Sequence, residues 1–379
     1  MYKCFLTCPR GLEEQAQIDI NSIIPDSKIY NGGIEFNATK SDIYNVNLYS
    51  RIGMHLLIKL FDFDCENNEE LYEKIHEYGW DKIIDIEQSF LIKLKGQSKK
   101  FKNKNFTALK IKDAVVDQIR KVRLSRPSVN KDNPDIIISI HIQDNKFSIY
   151  LDSSGISLHK RGYRNKIHRA MLNESLAAGL IMKTQWDKKN AFYDPMCGSG
   201  TFPIEAALMA YNIPPGLLRK KFTFQKWKDY DSLLFKKLLK IAKNKIKIDS
   251  KIKIYGYDNA LSNIAIALSS IKSLDLSSHI KIKKLDFLNF IPNQESGTII
   301  INPPYGERLR PGGNELNNLY SSIGDIFKNN CNGYDCYVFT SNLELAKYIG
   351  LKSKSRLQFK NGNLDCRLIH YPISSGSYK

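Results

Sequence analysis

From residue 191 onward, short apolar runs alternate with longer mixed ones, and this alternation constrains the fold more than any other feature. NAFYDPMC, KIKIYGYD, HIKIKKLDF, GTIIINPPY and YDCYVFTS read as strands. TFPIEAALMAY, NALSNIAIALSSIK, NELNNLYSSIGDIF and LELAKYI read as the helices between them. Regular strand–helix alternation predicts a mostly parallel sheet, because parallel neighbours need a crossover. The last two apolar segments, SRLQFK and LDCRLIHYP, are joined by Asn361-Gly362-Asn363. That is a hairpin signal, so the sheet is expected to end with an antiparallel strand.

The first 155 residues follow a different pattern. YKCFLTCP, a helical GLEEQAQIDINSII, a turn at NGG and a strand IEFNA make one small α+β module over residues 1–60. LYEKIHEYGWDKII, SFLIKLKGQ, the helix ALKIKDAVVDQIRKV and the hairpin DIIISIHI/KFSIYLD make a second over 61–155. A basic linker, 156–170, leads into the third domain, 171–379. That domain carries a basic insert at 213–250, read either as a second contact for a nucleic acid or as a flap. Three domains suit a chain of 379 residues, and 42% hydrophobic residues are enough to bury their cores. No apolar run reaches the ~18 residues of a membrane span. The N-terminus has acids where a signal peptide has its apolar core, so a cytoplasmic protein is expected. Seven cysteines without a CxxC pair give no zinc pattern and fit a reducing compartment. The seven histidines form no ligand spacing.

The formal charge of +18 comes from 57 basic and 39 acidic residues, and it is unevenly placed. Residues 61–87 carry ten acids and two lysines, net −8. Residues 90–131 carry thirteen bases and two acids, net +11, and six of the 13 arginines fall between 120 and 169. A Lys-, Ile- and Asn-rich composition would scatter lysine evenly, so clustering points to phosphate binding. Lys99, Lys100, Lys102, Lys104, Arg120, Arg123, Arg126, Arg161 and Arg164 are the expected RNA-binding residues. Phe101 and Phe106, set among the lysines, either stack on bases or pin a loop to its domain; the second is the expectation.

Four motifs end the strands of the third domain. Asp194-Pro195-Met196-Cys197-Gly198-Ser199-Gly200-Thr201 joins a strand to a helix, and its two glycines let the backbone approach a ligand at the helix start. Pro203 stands where a dinucleotide fingerprint needs a third glycine, which argues against a nicotinamide oxidoreductase. An acid just ahead of a GxG fits a cofactor without pyrophosphate, such as S-adenosylmethionine (SAM); an ordinary tight turn is the alternative. Asp258, with Asn259, can accept both hydrogen bonds of a ribose diol or simply cap the next helix. Asp286 and Phe287 can meet an adenine amine and ring, or serve as a cap and a core residue. Asn302-Pro303-Pro304-Tyr305 removes two main-chain donors and turns carbonyls outward. The Asn302 carboxamide oxygen and the Pro303 carbonyl could then hold an exocyclic NH2, with Tyr305 stacked on the base.

These residues resemble a known family. DPMCGSGT with NPPYGERL resembles the class I SAM-dependent methyltransferases that act on amino groups of nucleobases. LDSSGISLHKRGYR, LNESLAAGL and PPGLLRKKFTFQKW narrow the resemblance to the bacterial 23S rRNA guanine-N2 methyltransferases with a THUMP domain. The resemblance implies a ferredoxin-like piece, a THUMP RNA-binding domain and a Rossmann-like methyltransferase domain. It implies that Asp194, Cys197, Gly198 and Gly200, with Pro195 and Thr201 in the same turn, line the methionine end of SAM. Asp258 beside Asn259 would hold the ribose, Asp286 and Phe287 the adenine, and Asn302, Pro303, Pro304 and Tyr305 the target base. Longer relatives carry a second methyltransferase domain, which this chain is expected to lack. The expected partner is 23S rRNA or its precursor, with no membrane, and a monomer is the expected state. N6-adenine methylation of DNA or RNA is the alternative activity, and a non-catalytic RNA-binding protein the alternative class.

Overall fold

The computed structural model describes residues 1–164, 172–249, 251–306 and 313–374. The N-terminal segment folds as β1 (Tyr2–Thr7), α1 (Glu13–Ile20), β2 (Lys28–Tyr30), β3 (Gly33–Ala38), α2 (Lys40–Tyr49) and β4 (His55–Asp64). The next folds as α3 (Asn68–His76), β5 (Ser89–Gln97), α4 (Lys104–Arg123), β6 (Ser128–Val129), β7 (Ile136–Gln143) and β8 (Lys146–Asp152). The sequence suggested two modules with a sheet each. The structure instead runs one eight-stranded sheet through both, in the order β2-β3-β1-β4-β8-β7-β5-β6. The seam is β4. At ten residues it is long enough to pair β1 near its start and β8 along most of its length, from Leu57↔Asp152 to Asp64↔Lys146.

The third domain follows as α5 (Glu174–Lys183), β9 (Ala191–Asp194), α6 (Thr201–Ala210), α7 (Ser232–Asn244), β10 (Ile254–Asp258) and α8 (Leu261–Ser273). After these come β11 (Ile280–Lys284), β12 (Gly297–Ile301), α9 (Gly313–Asn330), β13 (Tyr334–Thr340), α10 (Leu343–Lys347), β14 (Ser355–Asn361) and β15 (Leu364–Pro372). The sheet order is β11-β10-β9-β12-β13-β15-β14. Strands β9 to β13 are parallel, and β15 runs antiparallel to both neighbours. The antiparallel strand is therefore present but inserted rather than terminal. Leu368, Ile369, His370 and Tyr371 are all buried, so β15 takes the interior place, whereas the half-exposed β14 forms the edge.

Two apolar clusters hold the molecule. One covers one face of the second sheet with Ile204, Leu208, Ile264 and Ile271, and runs on without a break into the N-terminal half through Leu12, Leu48 and Ile136. The other fills the opposite face, around Tyr193, Tyr320, Ile323 and Phe327. The insert at 213–250 joins the halves rather than flapping free. Phe224 stacks on Tyr44 of α2 at 4.5 Å and meets Phe235 of α7 edge-on at 5.1 Å. Lys228 donates to the Asp81 carbonyl at 2.8 Å and pairs with Asp85 at 2.9 Å.

Candidate cofactor and base site

Register alone brings all four motifs to one edge, since Lys284 of β11, just ahead of Asp286, pairs with Asp258. Gly256 of β10 pairs with Asp194 of β9, and Ile299 of β12 pairs with Tyr193. The chain segments carrying Asp258 and Asn302 therefore leave the sheet on either side of the Asp194–Gly200 turn, at the carboxyl ends where open α/β sheets bind ligands.

The turn is fixed by its own backbone and by Asp258. Cys197 N–H donates to the Tyr257 carbonyl at 2.8 Å, and Gly200 N–H to the Cys197 carbonyl at 2.8 Å. Gly198 and Gly200 are left-handed, at φ +53° and +81°, which only glycine adopts freely. A Cβ on Gly198 would meet nothing within 4 Å, so open space lies in front of the turn. Asp258 binds on both sides: Oδ2 accepts from Gly198 N–H at 3.0 Å, and Oδ1 from Ala260 N–H at 2.9 Å and Asn263 Nδ2 at 3.0 Å. It thus closes the turn ahead of α8 rather than capping that helix, whose N-cap is Ala260, and it ties down the Asp194–Gly200 turn. Asn263 was not foreseen, because nothing local distinguishes it from any exposed helical Asn.

Asp194 is 2% exposed and accepts from Met196 N–H at 3.2 Å. Burial, reinforced by the neighbouring Asp258, pushes its carboxyl well above the usual range. Among the described residues no cation pairs with it, and an ammonium group would complete such a carboxyl. A free ammonium, a ribose diol and no pyrophosphate describe SAM, and the residues present fit it.

Other expected cofactor residues are placed differently. Cys197 is buried, and its Sγ lies 3.1 Å from where a Cβ on Gly256 would sit, in the packing between β10 and the turn. Within the turn its thiol donates to the Gly198 carbonyl at 3.7 Å. Pro195 is buried beside it. The Thr201 hydroxyl is taken by Arg164 at 2.8 Å. Asp286 is exposed and caps a short turn through Leu288 N–H at 3.0 Å. Phe287 is 5% exposed and stacks on Phe290 at 6.2 Å, so its ring is committed to the core. Asn259 is exposed just beyond β10.

Past β12, Asn302 is half-buried, Pro303 buried and Pro304 exposed. The Tyr305 hydroxyl donates to Asn302 Oδ1. The two side chains expected to hold the base are thus in contact across the loop. Three supporting residues were missed. Asn342 Nδ2 donates to the Tyr305 carbonyl at 3.2 Å, and the Tyr320 hydroxyl to the Pro304 carbonyl at 3.4 Å while pairing with Thr340 at 2.9 Å. In the sequence Asn342 signals only a helix cap.

The basic residues divide into two groups. Lys99, Lys102 and Lys104 are exposed around the start of α4, with Arg126 exposed beyond its end. Lys100 pairs with Glu66, Arg120 with Asp117 at 2.7 Å, and Arg123 reaches Asp81 at 3.7 Å. Glu66 and Asp81 of the acidic stretch therefore partly neutralise the basic one, and the exposed Lys100–Glu66 pair is worth at most ~1 kcal/mol. Phe101 packs edge-on against Phe147 at 4.9 Å, pinning the loop, while Phe106 stays exposed.

Arg161 and Arg164 contradict their expected role. Arg161 is 1% exposed and donates to the Leu158 carbonyl at 2.6 Å and to the Arg51 carbonyl, with Glu205 of α6 at 3.6 Å. Arg164 donates to the Leu172 carbonyl at 2.8 Å and pairs with Glu174 at 3.3 Å. The Arg161 guanidinium is spent between Arg51 and α6, and that of Arg164 on the chain leading into α5 and on α6. Lys166, His168 and Arg169 lie outside the described residues. Among the described residues no cluster suits a metal ion, and no helix is long and apolar enough to cross a membrane.

Comparison with known proteins agrees with this architecture. Residues 161–370 match the RMKL-like methyltransferase domain, 65–152 the THUMP domain and 3–56 the RlmL ferredoxin-like domain. A Synechocystis sp. protein that carries an RNA methyltransferase name is 36% identical, over 97% of this chain and 96% of its own. The ribosomal RNA large subunit methyltransferase K/L of Psychromonas ingrahamii is 35% identical over 99% of this chain but 50% of its own, so the chain spans about half the length of its K/L relatives. A methyltransferase solved in complex with SAH superposes with a TM-score of 0.89 at 26% identity, over 99% of each chain. The chain belongs to the RMKL-like family of SAM-dependent methyltransferases, with a ferredoxin-like and a THUMP domain ahead of its methyltransferase domain.

Proposed function

We propose that this protein transfers a methyl group from SAM to the exocyclic N2 amine of a guanine in RNA, most specifically in large-subunit ribosomal RNA. The observation that carries the reading is the contact between Tyr305 and Asn302 Oδ1 at the carboxyl end of β12, next to the cofactor turn. SAM supplies a methyl group on a sulfonium, so the reaction is a displacement in which an N–CH3 bond forms as the S–CH3 bond breaks. The amine then loses a proton to water, and S-adenosylhomocysteine departs.

The chain's part is orientation. Asn302 Oδ1 and the Pro303 carbonyl accept from the two amine hydrogens, which draws the nitrogen lone pair out of the ring and frees it for attack. Tyr305 releases Asn302 and stacks on the base. A neutral Asn suffices because no strong base is needed once the nitrogen has been alkylated. Pro304 shapes the loop by withholding a main-chain donor. Lys99, Lys102, Lys104 and Arg126 attract the RNA backbone, and the target base is splayed out of its stack. The large-subunit assignment is supported by the names of the K/L relatives. The test is methylation, with labelled SAM, of protein-free ribosomal RNA against duplex DNA. N2-methylguanosine in RNA is expected; transfer to DNA alone would overturn the reading.

A further inference from the structure

The loop that carries the base site is short of main-chain donors. Pro303 and Pro304 have no N–H, so that stretch of chain offers no main-chain donors. Its conformation has to be set through its carbonyl groups, and two of these are held from behind by one connected network. The Tyr320 hydroxyl, fully enclosed on α9, reaches the Pro304 carbonyl at 3.4 Å and Thr340 Oγ1 at 2.9 Å. Thr340 Oγ1 also accepts from Asn342 N–H at 3.1 Å. Asn342 then uses both ends of its carboxamide: Nδ2 donates to the Tyr305 carbonyl at 3.2 Å, and Oδ1 caps α10 through Leu345 N–H at 3.0 Å.

We propose that Tyr320 and Asn342 are positioning residues for base methylation, holding the Pro304 and Tyr305 carbonyls so that Asn302 Oδ1 and the Pro303 carbonyl are left to face the amine. This rests on the base-site reading above. Tyr320 is fully enclosed, and the Asn342 carboxamide is taken up at both ends by the Tyr305 carbonyl and Leu345 N–H. Each acts through the loop, and each is supplied by a different element, α9 and the β13–α10 junction. An amide is the group that fits at 342, since it must donate to one carbonyl and accept from one N–H. Displacing a bound reactant by about 1 Å lowers turnover ~100-fold in a reaction that depends on alignment. Losing one of two supports should therefore lower it ~10-fold or more.

Asn342→Asp keeps the helix cap and removes the donor, and Tyr320→Phe removes the hydroxyl and keeps the ring. The assay is methyl transfer from labelled SAM to total ribosomal RNA from cells lacking the protein, with SAM binding by calorimetry and thermal melting alongside. Both variants are expected to lose about tenfold or more in kcat, with SAM Kd, RNA KM and melting temperature close to wild type. If both keep wild-type turnover while Asn302→Ala is inactive, the positioning role is overturned and the base site stands. If Asn302→Ala keeps turnover as well, the base-site reading falls with it. If SAM affinity or melting falls in step with kcat in both variants, the residues are merely structural and the proposal is overturned.

Discussion

At the scale of single residues, the site is built from groups whose chemistry is costly to the fold. Asp194 is the clearest case. Its folded pKa lies above the 3.8 of the free side chain because burial penalises the charged form. Stability from the neutral form is present at low pH and is lost as pH rises through the folded value. Asp194→Asn keeps an acceptor for Met196 N–H without that penalty. Its melting temperature should exceed wild type at neutral pH, with the advantage vanishing as pH falls toward ~4, while SAM affinity drops at least tenfold. Melting curves across pH with calorimetry check both halves, and equal SAM affinity would remove Asp194 from the cofactor site. Asn302→Ala should lower turnover ~100-fold or more while leaving SAM binding intact, as expected for a group aligned on the reacting amine. The placement of Asp194 and Asn302 at the carboxyl ends of strands was legible in the sequence because each closes an apolar run and is followed by proline, and that of Asp258 because it closes the next apolar run. The side-chain directions of Cys197 and Phe287 were not, since Cys197 packs against Gly256 on a different strand and Phe287 stacks on Phe290 at the end of its own short turn.

At the scale of elements, the joint between the halves is polar in its middle. Arg161 binds the Arg51 carbonyl on one side and Glu205 of α6 on the other, with Tyr163 donating to Glu205 at 3.1 Å. Removing one member leaves a buried charge unpaired. Arg161→Met should destabilise the protein by ~3–5 kcal/mol, and Arg161→Met with Glu205→Leu should recover most of that loss. Denaturant midpoints decide it, and a silent single variant would mean that the joint does not rely on this pair. The apolar part is the insert. Phe224→Ala, which deletes a fully buried ring stacked on Tyr44, should cost ~3–5 kcal/mol. Neither role was legible. An Arg in a basic run looks the same whether it faces solvent or a carboxylate 44 positions away, and the insert's aromatic residues meet partners on α2. Strand direction was legible further, since βα alternation and the Asn-Gly hairpin are local signals. The interior position of β15 was not, because it depends on which of two adjacent strands buries both faces.

At the scale of the whole molecule, one sheet carries the two N-terminal domains and a second carries the methyltransferase domain, with a shared apolar cluster between them. The exposed residues Lys99, Lys102, Lys104 and Arg126 lie around the two ends of α4, and on the proposed function they form the face that meets the RNA. Binding to single-stranded RNA should weaken with salt by ~0.7 in log K per log salt for each phosphate neutralised. The triple variant Lys99→Ala, Lys102→Ala and Lys104→Ala should reduce that slope by ~2. A slope unchanged by the triple variant would move the RNA face elsewhere. The central claim is tested most directly by nucleoside mass spectrometry of ribosomal RNA from cells with and without this protein. The account predicts loss of N2-methylguanosine at one large-subunit position, restored by the wild-type chain and not by Asn302→Ala. Loss of N6-methyladenosine with N2-methylguanosine unchanged would contradict it.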